Sequence, residues 1–354
     1  MDLLALLRKE TITVRRNLAL FLVVFVLLPS SLVAGTLVFE RTIPQDVPVG
    51  VVPTDEATEA DVAIARGGIT SLSTPIEYDS TEAATRALER EEIYLIIEVP
   101  GNLADTDADA TVTVTSDRAY VPLEEPIEES VGVIESQLDG TLPADVTVEH
   151  ERIGTERTLS AFLVPTVVFV FVTLYALVYV PYQVRSERRV IERLRTETRL
   201  ETVLASKLLF YGLSLLVSLL VVAAGSAVLG YDLAVLSPIA IAAVGLTYLS
   251  LAAVGLAILF VTNLEQSALF VDLALAFGIF ALSSLLFPAG FFSTTERTIS
   301  QALPTYYAAV MTRSGMLREP SVGVYAEYLL ILAVTAVGSL LVLGAASCWY
   351  QRRR

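Results

Sequence analysis

The sequence predicts a membrane protein: an all-α six-helix transmembrane domain with an extracellular α/β domain inserted after the first helix. Three observations predict it. Of the 354 residues, 54% are hydrophobic, more than a globular fold with a polar skin carries. The apolar residues gather into six runs of about twenty residues, nearly free of charge, the length a helix needs to cross a hydrocarbon core of about 30 Å. The formal charge of −15 is concentrated in residues 40–157, which hold 27 acidic and 7 basic side chains and leave 12 acidic and 17 basic ones elsewhere.

Residues 1–17 are read as a cytoplasmic amphipathic helix leading into the first span, residues 18–39. At 1.5 Å per residue that run is about 33 Å long. It is longer than the apolar region of a signal peptide, and Ala34-Gly35 is the nearest approach to a cleavage site.

The acidic segment 40–158 alternates strand and helix signals. Residues 47–52 form a short apolar strand and residues 71–78 a second. Asp79-Ser80-Thr81-Glu82 starts a helix with Asp79 as cap, reaching to about Glu92. Residues 93–99 are a near-continuous apolar strand stopped by Pro100-Gly101, and in residues 111–115 Thr and Val alternate with the period of a half-buried strand. Ile127, Val131, Ile134 and Leu138 fall at helical spacing within residues 122–138, and residues 146–148 return as a strand. The segment has the size of one compact domain, tethered at both ends to the membrane.

Five further spans are expected within residues 159–354, at 159–184, 208–231, 236–262, 267–292 and 325–349. The linkers 231–235 and 263–266 are short enough to force antiparallel hairpins. Residues 293–324 are too polar to cross. Their apolar Ala308-Ala309-Val310-Met311, set beside tyrosines that favour a membrane–water boundary, suits a re-entrant element or an outer loop.

Basic residues orient the bundle. Arg8, Lys9, Arg15 and Arg16, the seven between Arg185 and Lys207, and Arg352, Arg353 and Arg354 all fall on one side of a six-span protein. The short opposite loops hold only Arg297, Arg313 and Arg318. The positive-inside rule then puts both termini in the cytoplasm, with the acidic domain outside the plasma membrane. Lys9 and Lys207 are the only lysines, and an acidic, lysine-poor domain stays hydrated in concentrated salt, which points to a halophilic host. Biased codon use with a solvated acidic face is the alternative.

Much chemistry is excluded. Cys348 is the single cysteine and His150 the single histidine, so neither an internal disulfide nor a His/Cys metal cluster is available. No phosphate-binding loop, zinc-protease motif or nucleophile with a histidine partner occurs. The carboxylates at Glu124-Glu125 and at Asp105, Asp107 and Asp109 are read as a solvated face, with cation binding as the alternative. No nucleic-acid partner is expected.

The linker 185–207 is the most informative stretch. Val190, Ile191, Leu194 and Thr198 form one helical stripe among arginines and glutamates, suited to lying on anionic lipid or to docking a cytoplasmic partner. This segment resembles the coupling elbow of permease subunits of ABC exporters of the second permease class. Glu187, Glu192 and Lys207 match that pattern, while Val190-Ile191 and Glu197 stand where the family usually has Gly-Thr and Pro. Arg8-Lys9-Glu10 with Arg15-Arg16-Asn17, the turn from Thr262-Asn263-Leu264 to Ala268, and Phe287-Pro288-Ala289-Gly290 followed by Leu303-Pro304-Thr305-Tyr306-Tyr307 are similar to the same family, in the same order. The large first loop, with Val49-Gly50-Val51-Val52 and Ile97-Glu98-Val99-Pro100, resembles the branch that includes sodium-efflux permeases.

The resemblance implies an export permease, itself no enzyme and holding no cofactor, that works as a dimer with a separate ATPase subunit carrying ATP. It implies coupling through Glu187, Glu192, Arg193 and Lys207. Asp272, about a turn and a half into the fifth span, is a costly place for a carboxylate and a candidate for the transport path, with a hydrogen-bonded or water-exposed structural role as the alternative. Gly212, Ser214, Ser218, Gly225 and Ser226 permit close helix packing, including at a dimer seam. The competing reading is a membrane receptor or scaffold that binds a ligand through its extracellular domain.

Overall fold

The computed structural model describes residues 47–70, 73–105, 109–119, 131–132, 145–189, 200–285, 289, 292, 294–318 and 320–353. The expected helix at 1–17, the first span at 18–39, most of the expected helix at 122–138, and Glu192 and Arg193 lie outside these residues.

Five strands, β1 (Val47–Pro53), β2 (Ser73–Glu77), β3 (Leu95–Val99), β4 (Asp109–Asp117) and β5 (Asp145–Ile153), form a sheet in the order β2-β1-β3-β4-β5. β1 runs parallel to both β2 and β3, β4 is antiparallel to β3, and β5 is parallel to β4. Parallel neighbours need crossovers, which α1 (Glu59–Ile69) and α2 (Thr81–Glu89) supply. Val49, Val51, Leu95 and Ile97 pack with Ala65 and Ile69 of α1 in one cluster. Val52 and Ile96 pack with Ala84, Ala87 and Leu88 of α2 in another. Burial on both faces is why residues 93–99 read as a nearly unbroken apolar run.

Local signals were read less well. Helix α1 was not anticipated: its capping box joins Thr58 to Asp61, with Asp where Glu or Gln is usual, and Gly67-Gly68 dilute its helical pattern. The cap of α2 is Ser80 and not Asp79, because the Ser80 hydroxyl accepts the Ala83 N–H. That helix ends at Glu89, earlier than expected, and Glu91 turns the chain at φ 59°.

Among the described residues four helical stretches are long and apolar enough to cross a membrane: α3 (Leu159–Ser186), α4 (Leu200–Val228), α5 (Pro238–Val261) and Val322–Arg352, whose α-helical part is α9 (Ala326–Arg352). Tyr175–Tyr179 of α3 form a π-helical turn. Four of the expected spans thus have helices of crossing length. The run at 267–292 does not: α6 (Ser267–Leu282) has 16 residues, about 24 Å, because Ser283 closes it and Ser284 turns at φ 55°.

Residues 293–324 hold two helices, α7 (Thr294–Ala302) and α8 (Pro304–Leu317). Every residue of α8 from Ala308 to Leu317 is buried, against α3, α5, α7 and α9. Close approach requires two glycines. A Cβ at Gly315 would stand 2.8 Å from the Ala240 nitrogen, and one at Gly255 would stand 3.0 Å from the Leu177 carbonyl oxygen. In contrast α4 leaves Leu209, Phe210, Val217 and Val221 largely exposed, the pattern of a helix at the rim of the bundle.

Strand β5 passes into α3 through Thr158, whose hydroxyl accepts the Ala161 N–H and caps the helix. The sheet domain therefore sits at the end of the bundle where α3 begins. The end of α3 and the start of α4 lie at the opposite end.

Candidate functional site

At that opposite end α3 closes on Glu187, its C-cap, whose N–H donates to the Gln183 carbonyl. Lys207 lies two turns into α4, where a helix facing α3 can present it. The Lys207 ammonium donates to Glu187 Oε2 at 2.7 Å, with Lys207 15% and Glu187 42% exposed on their side chains. An ion pair this open to water contributes about 1 kcal/mol or less, so its value is geometric: it fixes where the intervening linker leaves and re-enters the bundle. The end of α9 joins the same place, since Gln351 donates to Glu201 of α4 at 3.0 Å and Tyr350 packs edge-on against Phe260 of α5. Two of the four expected coupling residues, Glu187 and Lys207, are thus brought together. Glu192 and Arg193 fall outside the described residues.

Asp272 lies in the interior of the bundle. Its side chain is wholly buried and neither carboxylate oxygen has a hydrogen-bond partner among the described residues. Ala268, Ala276 and Ile279 are the other buried positions of α6, all small or apolar. Among the described residues no group of three or more His, Cys, Asp or Glu is placed to hold a metal ion.

A second polar constellation was missed from sequence. Glu91, with a fully buried side chain, pairs with Arg313 of α8 at 2.8 Å, and Arg318 pairs with Asp117 at the end of β4 at 2.6 Å. Burial pushes the Glu91 carboxyl above the ordinary carboxylate range, and the Arg313 charge opposes that shift. The available signal was an arginine inside a stretch that is otherwise apolar or small, from Ala308 to Met316. Arg313 was read only as one of a few loop cations.

Four helices long and apolar enough to cross a membrane, with a sheet domain at one end and the Glu187–Lys207 pair at the other, fit a multi-pass membrane protein. The chain belongs to the ABC-2 family transporter proteins, whose family model matches residues 18–345. No curated protein matches the chain. No solved structure matches it.

Proposed function

We propose that the chain is the permease subunit of an ABC-type exporter in the plasma membrane, a homodimer driven by a separate ATPase subunit that binds and hydrolyses ATP. The family match over residues 18–345 carries this reading. The Glu187–Lys207 tie at the end opposite the sheet domain supports it, because it braces the end of α3 against α4 on either side of the segment expected to meet a cytoplasmic partner. The linker's Glu192 and Arg193 complete the docking surface in this proposal.

Closure of the ATPases on nucleotide pushes the linker, tilts α3 and α4, and shifts the bundle between inward-open and outward-open populations. Asp272 belongs to the path in this reading: a buried, unpartnered carboxylate is costly to keep unless it meets cargo or water in another state. The buried setting of α8 supports a re-entrant element. The large first loop resembles the sodium-efflux branch, which makes sodium the first cargo to try.

Purification from native membranes tests the reading. A nucleotide-binding ATPase accompanies the chain, Lys207→Glu weakens its retention several-fold, and Glu187→Lys combined with Lys207→Glu restores much of it. Absence of any ATPase would sink the proposal. Retention of full activity in the charge-reversed variant would favour a receptor or scaffold.

A further inference from the structure

The sheet domain is held by more than its chain ends. Arg313 of α8, 3% exposed, donates to both carboxylate oxygens of Glu91 at 2.8 and 3.1 Å. The same guanidinium donates to the carbonyls of Ser284 and Leu285, just past the end of α6, and lies over the Phe162 ring of α3 at 5.6 Å. One side chain therefore joins the α2–β3 turn, the end of α6, the start of α3 and α8 itself.

The surrounding contacts repeat the pattern. Arg318 donates to the Glu89 carbonyl at 2.8 Å besides pairing with Asp117. The Tyr325 hydroxyl bridges the Glu89 carbonyl and Ser314, and the Tyr328 hydroxyl donates to Glu92 at 3.0 Å. Apolar packing crosses the same seam, because Phe162 and Leu317 belong to the cluster that contains Val49, Leu95 and Ile97.

Such a seam does not open in small steps. A well-packed apolar contact would slide or separate gradually, but parting Glu91 from Arg313 leaves two buried charges uncompensated at once. Carbonyls at the end of α6 would lose their donor in the same event. Movement is cheaper where the packing lacks charge, along the face of α8 toward α5.

We propose that the sheet domain, α8 and the first turn of α9 move as one body, with Arg313 as the positioning residue that locks them. Displacement of α8 during the working cycle then carries the domain with it, and a molecule that binds the domain biases the position of α8. The motion itself rests on the export reading. The unity of the body does not.

Arg90 and Glu327 face each other across the seam at 4.0 Å, with side chains 24% and 78% exposed; replacing them removes the Arg90–Glu92 pair at 2.9 Å but leaves the Glu91–Arg313 and Asp117–Arg318 pairs in place. Arg90→Cys with Glu327→Cys, in a Cys348→Ala background, is bridged in the purified complex by a short bis-methanethiosulfonate, which forms a reducible disulfide with each cysteine and releases methanesulfinate. The proposal expects equal bridging in nucleotide-free and vanadate-trapped complexes, and ATP turnover unchanged by the bridge. Several-fold less bridging on trapping, or turnover lost and restored by reductant, overturns it.

Amide exchange on the chain alone keeps the claim testable if no ATPase accompanies it. Glu91→Gln is expected to raise exchange in residues 91–99 and 304–317 by the same factor. A rise in only one of the two overturns the single body. Arg313→Lys, which keeps the charge and loses the planar fork, replaces that variant if it fails to fold.

Discussion

Asp272 shows how one residue separates stability from work. Its two carboxylate oxygens are buried without a partner among the described residues. Ionised carboxylates near the middle of a span cost roughly 2.5–3.5 kcal/mol on insertion scales, and less toward an interface. Asp272→Asn is therefore expected to leave the protein as stable or more so, by about 1–2 kcal/mol on that scale, while lowering ATP-driven turnover of the complex at least tenfold. Thermal unfolding in detergent and ATP hydrolysis, measured on the same preparation, give the two readings. Unchanged turnover removes Asp272 from the path. The sequence disclosed this residue because a lone carboxylate stands out in an apolar run, whereas Glu91 was invisible as one of 27 acidic residues in its segment.

At the scale of the element, caps and turns decide where helices begin and end. Asp61 accepts from the Thr58 N–H at 2.9 Å, the Thr58 hydroxyl at 2.6 Å and the Ala104 N–H at 2.8 Å. The Thr58 hydroxyl, foremost among these donors, holds the Asp61 carboxyl below the ordinary carboxylate range. A depressed acid binds fewer protons folded than unfolded, so its stabilisation is present above the unfolded value and is lost as pH falls through the folded one. Asp61→Asn should cost about 2 kcal/mol at neutral pH and less toward pH 3, where wild type loses the same contribution. Melting curves of the two proteins between pH 3 and 7 check this, and parallel curves would refute it. Strands buried on both faces were legible from their composition. Helix α1 and the early end of α6 were not, since a Thr–Asp box, and an arginine at the tenth position of α8 that donates to the Ser284 and Leu285 carbonyls, leave no local pattern.

For the whole molecule, the described spans and the charge balance support each other without fixing which side is which. β5 enters α3 at one end, and the Glu187–Lys207 and Gln351–Glu201 contacts gather at the other. Under the positive-inside rule that second end is cytoplasmic. Single cysteines at Arg188 and Thr85, placed in a Cys348→Ala background, should divide accordingly: an impermeant thiol reagent added to intact cells labels position 85 and spares position 188. Labelling of both from outside, or of 188 alone, would reverse or dissolve the topology. The apolar runs made the bundle legible at this scale. The way the domain seats on the bundle was not, because its contacts join residues more than two hundred positions apart.

That separation in sequence has a consequence for how the protein is made. Glu91 leaves the ribosome 222 residues before Arg313, a delay of roughly 10–40 s at ordinary synthesis rates. During that interval Glu91 and Asp117 lack their partners Arg313 and Arg318, and their carboxylates must remain wetted. Maturation therefore finishes late, when α8 arrives, and a chain stalled before that point would display an unfinished acidic corner.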